Sequence, residues 1–499
     1  MTVMQLWEEI EFGARAVGLR MTAEKPIEEI LEVQRLRLVE LVEHARENSK
    51  FYREKFAGVA GIDDGSFELT DLPTTSKTQI MENFEGSLTV QDVKRGEVEK
   101  FFEDDENLGK YFLDKYVLSH TSGSQGQPLL IVQTNENLEL LFALQASRGN
   151  HERLNAWTAV KHIISPARMA AVILKRGFYP SACAFEYLPE GAQRYLEILP
   201  VSLMDDDLIE RIAEFRPTHL TAYASVLHEL ARRTEAGELD LKPELQQVVN
   251  ISERLMPHAR EHYAKVFDAL VLNDYAMGEC LFLTNGCPKS GGMHVNADWA
   301  IVEVVDEDNQ PVPNGEKGAK VLITNLANYI QPIIRYEIGD IVTMATKECG
   351  CGSNLPLIEG IDGRDSEMFW IESGGELQPL PPAVFEVALG EVLDAREYQL
   401  IQEELNRFRV LVEPLPGKTM DRERAARIMQ DQIKEYGLDG HVKVEVEVVD
   451  KLKPEGGDKF KRVVSKVEGQ DGKTAKGRSD KVKGKKSKVA GKERDGRTG

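Results

Sequence analysis

A run of hydroxyls and glycines set between two apolar stretches, Thr121-Ser122-Gly123-Ser124-Gln125-Gly126, has the residue types to hold an anion. Glycine lets backbone N–H groups approach a ligand closely, and threonine and serine hydroxyls donate to phosphate oxygens, so the loop could cradle phosphates. The GK[ST] ending of a Walker loop is missing, and the following run LLIVQT reads as a strand where that motif needs a helix. A plain Gly/Ser turn between two strands fits the same residues. Further along, Asn273-Asp274-Tyr275-Ala276-Met277-Gly278-Glu279 presents an aromatic ring and a carboxylate four positions apart after a β-rich run. Ile334-Arg335-Tyr336-Glu337-Ile338-Gly339-Asp340 places a carboxylate just after a glycine, Gly363-Arg364-Asp365 opens a charged Gly-rich stretch, and Gly457-Asp458-Lys459 offers a lysine in a loop.

A second constellation is of a different kind. Cys287 and His294 lie in NGCPKSGGMH, and Cys349 and Cys351 in KECGCGS, both with the Gly and Lys content of loops. Three soft thiolates and an imidazole match a closed tetrahedral structural zinc site, although the C-x-C spacing is tighter than the usual two-residue gap. Three buried thiols beside an unrelated histidine fit the spacing as well. Cys183 and Cys280 have no such partners and read as core residues.

These segments need a scaffold, and 499 residues with 41% hydrophobic and 29% charged content are enough for several domains with sizeable cores. Helical spacing of Ile27, Leu31, Leu38 and Val42 puts helices in the first hundred residues. From about 116 to 345, short β-rich runs (AVKHII, THLTAY, ALVLNDY, AIVEVVD, KVLITN) alternate with helical ones (DDDLIERIAEF, ASVLHELARRTEAGEL), the pattern of layered α/β structure with sheets flanked by helices. After Gly363 the strands EYQLIQEE and RFRVLVEP, a helix in DRERAARIMQDQIKEYG and the alternation of Val442, Val444, Val446 and Val448 predict a small α+β domain. The expected division is residues 1–362, 363–467 and a tail, 468–499. That tail holds 11 Lys/Arg against 5 Asp/Glu and almost no large apolar residue, so it is expected to be disordered. Its charge of +6 leaves −27 on the body, which would repel nucleic acid and anionic membranes. No run of about 18 apolar residues and no basic-then-apolar N-terminus occurs, so a soluble cytoplasmic protein is expected.

Taken in order, FYREKF, DLPTTSKTQIMENF, TSGSQGQP, DYAMGE, IIRYEIGD, GRDSEM and DKFKRV resemble the adenylate-forming superfamily, most closely its phenylacetate-CoA ligase-like branch, over residues 45–467. The resemblance implies a large multi-layer N-terminal domain with the ATP and acyl sites, and a small mobile C-terminal domain. It implies that Thr121, Ser122, Gly123, Ser124, Gln125 and Gly126 hold the ATP phosphates, and that Ser252, Glu253 and Asp274 lie along the nucleotide. Tyr275 would stack on adenine, Asp340 accept the ribose hydroxyls, Arg364 contact ribose or phosphate, Glu279 bind magnesium, and Lys459 bridge the acyl carboxylate and α-phosphate. Glu279 and Lys459 would be the catalytic pair. A structural zinc on Cys287, His294, Cys349 and Cys351 is implied for this branch as well, and a homodimer is compatible with it.

The implied reaction is adenylation of an organic, aryl-type carboxylic acid, with release of pyrophosphate and transfer to CoA. The alternatives are transfer to an amine or amino acid without CoA, and a degenerate nucleotide-binding scaffold. Departures bear on that choice. Gly278 stands where Thr or Ser is usual, Ser366 where Asp is common, and Asp458 where glycine usually precedes the lysine. The stretch FWIESGGELQPLPPAVFE lacks the Arg-Gly run that helps form the thiol tunnel. His162, Tyr223 and Phe178 are candidates for the acyl pocket, each equally suited to ordinary packing.

Overall fold

The computed structural model describes residues 3–121, 128–149, 167–173, 177–188, 195–200, 206–253, 255, 257–361, 369–373, 376–380, 385, 395–414, 420–435, 442–449, 452 and 463–467. Two long helices, Val3–Ala23 and Ile27–Asn48, open the chain. Pro26 occupies the N-cap of the second, where its missing N–H costs nothing. The helix face of Leu38, Leu41, Val42 and Ala45 is buried with Tyr52, Phe56 and Phe67 in a satellite core that reaches Ile301, Leu326 and Ile334.

An antiparallel pair, β1 (Val117–His120) and β2 (Leu130–Gln133), flanks the hydroxyl and glycine run. A five-stranded parallel sheet follows, built from β3 (Met169–Ile173), β4 (Leu196–Pro200), β5 (His219–Ala222), β6 (Gln247–Asn250) and β7 (Leu270–Asn273), in the order β4-β3-β5-β6-β7. Helices Asp206–Phe215, Ala224–Glu235 and Pro257–Phe267 supply its crossovers. Parallel strands buried on both faces read as continuous apolar runs, as β3, Met-Ala-Ala-Val-Ile, does. In such sheets ligands lie beyond the carboxyl ends of the strands.

A four-stranded antiparallel sheet, β13-β14-β9-β8, joins β8 (Thr284–Gly286) and β9 (Met293–Val295) to the later β13 (Val342–Met344) and β14 (Leu357–Ile361), and a three-stranded sheet orders β10 (Ala300–Val305), β11 (Lys320–Asn325) and β12 (Ile333–Ile338). After residue 368 a hairpin, β15 (Phe369–Ser373) with β16 (Glu376–Leu380), precedes a mixed sheet β19-β18-β17-β20 formed by β17 (Ala395–Glu404), β18 (Arg407–Pro414), β19 (Lys443–Val448) and β20 (Val463–Ser465). Helix Arg422–Glu435 buries Ala425, Met429 and Ile433. The expected alternation holds in β19, where Val444, Val446 and Val448 are half-buried and the residues between them exposed.

The expected strand AVKHII and the basic tail lie outside the described residues. Among the described residues no helix is long and apolar enough to cross a membrane.

Candidate functional site

The carboxyl ends of β6 and β7 carry the predicted site residues. Just past β7, the backbone N–H of Asp274 bonds the Asn250 carbonyl at 2.9 Å, and Asn250 Nδ2 donates to Asn273 Oδ1 at 2.6 Å and to the Glu253 carbonyl at 2.7 Å. These bonds tie the two strand ends and force a tight turn in which the exposed Ser252 takes a left-handed φ of 62°. Asn250 and Asn273 carry no chemistry in the sequence motifs, yet they fix where Ser252, Glu253 and Asp274 sit.

Tyr275 is locked at both main-chain groups by one side chain: its N–H donates to Thr284 Oγ1 at 2.8 Å, and that hydroxyl donates to the Tyr275 carbonyl at 2.9 Å. Its phenol donates to Asp340 Oδ2 at 2.8 Å, bringing together two predicted residues 65 positions apart. Asp274 is buried. Its Oδ2 accepts from Gln145 Nε2 at 2.8 Å and its Oδ1 from the Gly286 N–H at 2.6 Å. Burial outweighs these bonds and pushes its carboxyl up to about 6.

Glu279 stands at the tip of a turn closed by the Cys280 N–H on the Met277 carbonyl at 2.9 Å, and its own carbonyl accepts from Asn325 Nδ2 at 2.9 Å. The neighbouring Gly278 has a steric reason: a Cβ there would lie 2.9 Å from Ile131 Cδ1, 3.0 Å from Pro180 Cγ and 3.1 Å from Thr121 Cγ2. The turn therefore abuts Thr121. Thr121 closes the base of the hydroxyl loop, with its Oγ1 accepting from the Leu129 N–H at 3.0 Å and its N–H donating to the Leu129 carbonyl at 3.0 Å. Next to it, His120 is buried between the rings of Phe102 and Tyr179 and donates Nδ1–H to the Thr121 carbonyl. Burial depresses its pKa, so it is neutral. Ser122, Gly123, Ser124, Gln125, Gly126, Arg364, Lys459 and His162 lie outside the described residues. Phe178 packs against Phe101 and Phe102, and Tyr223 is buried in the core around the parallel sheet.

The donor atoms of Cys287, His294, Cys349 and Cys351 lie within 4.8 Å of one another, an arrangement that could hold a metal ion. One expectation is corrected here: His294 sits on β9, paired with Leu357 of β14, so only the three cysteines are on loops. The strand was hidden by the short, Gly-rich sequence around it. The Leu355 carbonyl takes His294 Nδ1–H at 2.9 Å and so turns Nε2 to Cys351 Sγ, 3.2 Å away, the outer-shell arrangement typical of a ligating histidine. Cys287 and Cys349 sulfurs are 3.1 Å apart. Burial opposes ionisation of Cys287, but hydrogen bonds from His294, Ser290 and Cys349 overcome it and bring the thiol to about 5. Burial pushes Cys351 up to about 12 against a hydrogen bond from the Ser353 N–H, and the charge on Cys287 and then the bond and charge of Cys349 add to the rise. Sulfurs this close share little negative charge unless a cation compensates it.

Residues 113–324 match the family described as AMP-binding enzyme. Phenylacetate-coenzyme A ligase of Thermus thermophilus is 26% identical over 389 residues, which are 75% of this chain and 79% of that protein. Among solved structures, 2-hydroxyisobutyryl-CoA ligase in complex with 2-HIB-AMP and CoA in the thioesterification state shares the fold, with a TM-score of 0.59 at 19% identity over 93% of this chain and 94% of that one. The same ligase in its postadenylation state with R3-HIB-AMP gives 0.53 at 18% identity, again over 93% and 94%. Residues 113–324 thus carry the likeness to AMP-binding enzymes. Over three quarters of its length the chain is similar to a phenylacetate-CoA ligase.

Proposed function

We propose that this protein adenylates an organic carboxylic acid, of aryl type, at the expense of ATP, releases pyrophosphate, and transfers the acyl group from acyl-AMP to CoA. The observation that carries this reading is the Tyr275–Asp340 hydrogen bond. It joins an aromatic ring suited to stacking on adenine to a carboxylate suited to accepting two ribose hydroxyls, at the carboxyl edge of a parallel sheet.

In this reading a carboxylate attacks the α-phosphorus and pyrophosphate leaves with the bonding electrons. Anion meets anion, so the site must neutralise charge and hold the reactants in line. Residues 121–126 would hold the phosphates, with Ser252, Glu253 and Asp274 beside the nucleotide and Arg364 at the ribose or α-phosphate. Lys459, carried by the segment 363–467, would bridge the acyl carboxylate and the α-phosphate. Glu279 would hold magnesium, which supplies charge neutralisation to the phosphate oxygens. The domain division at 362 and 467 and a cytoplasmic location complete the proposal.

Zinc is the metal that the Cys287, His294, Cys349 and Cys351 donor set suits best. Four protein ligands leave no open position for water, so its role is structural.

Transfer to an amine is the second reading, favoured by the absence of an Arg-Gly run in residues 369–386. ATP–pyrophosphate exchange against a panel of aromatic and short aliphatic acids tests adenylation. AMP release with added CoA or with amino acids then separates the two acceptors. Thermal stabilisation by ATP without exchange on any acid would instead support a nucleotide-binding scaffold.

A further inference from the structure

β2 follows the hydroxyl and glycine run in the chain, and among the described residues a strand covers one of its edges. β1 pairs with it in the register Leu118 with Val132 and His120 with Leu130. Among the described residues no further strand pairs with β2. Its other edge is nevertheless satisfied, by side chains. Gln331 Oε1 accepts from the Val132 N–H at 3.0 Å, Gln331 Nε2 donates to the Leu130 carbonyl at 2.9 Å, and Asn328 Nδ2 donates to the Val132 carbonyl at 3.0 Å. A carboxamide offers a donor and an acceptor in one plane, as a peptide group does, so Gln331 does for β2 what a neighbouring strand would do.

The same short segment also reaches the turn that bears Glu279. Asn325, Asn328 and Gln331, spaced by three, are 4%, 2% and 0% exposed. Asn325 Oδ1 accepts from the N–H groups of Ala327 and Asn328, and Asn328 Oδ1 from those of Ile330 and Gln331, so each amide shapes the turn that presents the next. Asn325 Nδ2 holds the Glu279 carbonyl. The segment is anchored from behind, where the Thr89 N–H bonds the Ile330 carbonyl at 3.0 Å and the Tyr52 hydroxyl the Pro332 carbonyl at 2.6 Å.

We propose that Asn328 and Gln331 are positioning residues for ATP: this amide bracket holds β2, and with it Thr121, against the turn that bears Glu279. The proposal rests on the nucleotide reading above. A two-stranded hairpin is marginal by itself. Misplacing a reacting group by about 1 Å can cost on the order of a hundredfold in rate.

The test compares affinities for Mg·ATP and for AMP by titration calorimetry, alongside KM and kcat in pyrophosphate exchange. Gln331→Met keeps the side-chain length and removes both hydrogen bonds. It is expected to weaken ATP binding and raise its KM by about tenfold or more, with AMP affinity held within about twofold, since AMP has no β- or γ-phosphate to place. Gln331→Glu reproduces both bonds only as a neutral acid. Its ATP affinity relative to wild type should therefore fall as pH rises, a profile that general loss of structure would not give. Equal weakening of ATP and AMP in both variants, or no change in either, overturns the proposal. If Gln331→Met does not fold, Asn328→Ala and the pH profile of Gln331→Glu decide. A wild-type protein that binds AMP but not ATP would sink the phosphate-loop reading itself, whereas one that binds both and ignores the substitutions would sink only the bracket.

Discussion

The phenol of Tyr275 donates to Oδ2 of Asp340 at 2.8 Å, so the ring and the carboxylate predicted for opposite sides of one nucleoside hold each other in register. Tyr275→Phe keeps the ring and loses the bond. ATP KM is expected to rise about three- to tenfold, in line with the net loss of about one ordinary hydrogen bond, with a smaller effect on kcat. Steady-state pyrophosphate exchange measures it, and an unchanged KM would mean that Asp340 is oriented by something else.

Asp274 ties stability to pH. Its folded-state pKa is raised to about 6 by burial, above the ordinary aspartate value, so between those values the folded protein retains a proton that the unfolded chain has released. Stability from this group is complete below about pH 4 and falls as pH rises to about 6. Asp274→Asn removes the penalty. The variant should match wild type near pH 4.5 and exceed it at pH 8 by on the order of 2 kcal/mol, read from urea unfolding at the two pH values.

Metal should be found at about one zinc per chain, by elemental analysis of protein purified without chelator. Cys351→Ser is expected to reduce that content severalfold and to lower the thermal midpoint by several degrees, since binding to the folded state alone stabilises it. Chelation should lower the wild-type midpoint and leave that of the variant nearly unmoved.

Arg148 and Asp298 form a buried ion pair, with Nη1 to Oδ1 at 2.8 Å and Nη2 to Oδ2 at 2.9 Å. The guanidinium also bonds Asn296 and the Leu19 carbonyl of the first helix. Arg148→Leu leaves Asp298 buried without its bidentate partner and should cost about 3–5 kcal/mol in denaturant unfolding. A loss below about 1 kcal/mol would show that Arg37, whose Nη1 lies 4.0 Å from Asp298, takes over the charge.

Lys459→Ala should nearly abolish pyrophosphate exchange while leaving the unfolding transition in place, and removal of residues 468–499 should leave exchange unchanged. Undiminished activity in the first variant, or a large loss in the second, would redraw the functional limits of the C-terminal part.

The sheets were legible because buried strands are written as short apolar runs, and ALVLNDY and KVLITN appear as the parallel β7 and the antiparallel β11. The four residues of the Cys/His cluster were legible from their types together with the family resemblance. Gly278 was legible only as a departure. Its reason, the crowding of Ile131, Pro180 and Thr121, comes from three segments distant in sequence. Asn250, Asn273 and Gln145 were missed because an amide carries no reactive chemistry of its own, and the Asn325, Asn328 and Gln331 series because NLANYIQP looks like surface loop. Their work is to satisfy backbone groups far away in the chain. One signal was available: three amides at a spacing of three, running directly into the apolar IQPIIRYEI, are an unusual choice for a solvent-facing turn.

The amide bracket also has a consequence for how the protein must be made. Leu130 and Val132 wait for partners that lie 196 to 201 positions later in the chain. At a synthesis rate of about 5–20 residues per second that is roughly 10–40 seconds with a bare strand edge, which is a template for association with other chains. A fragment ending at residue 324, where the family match ends, keeps that edge open for good. Solubility during expression should therefore change sharply between fragments that stop before Asn328 and those that continue past Gln331.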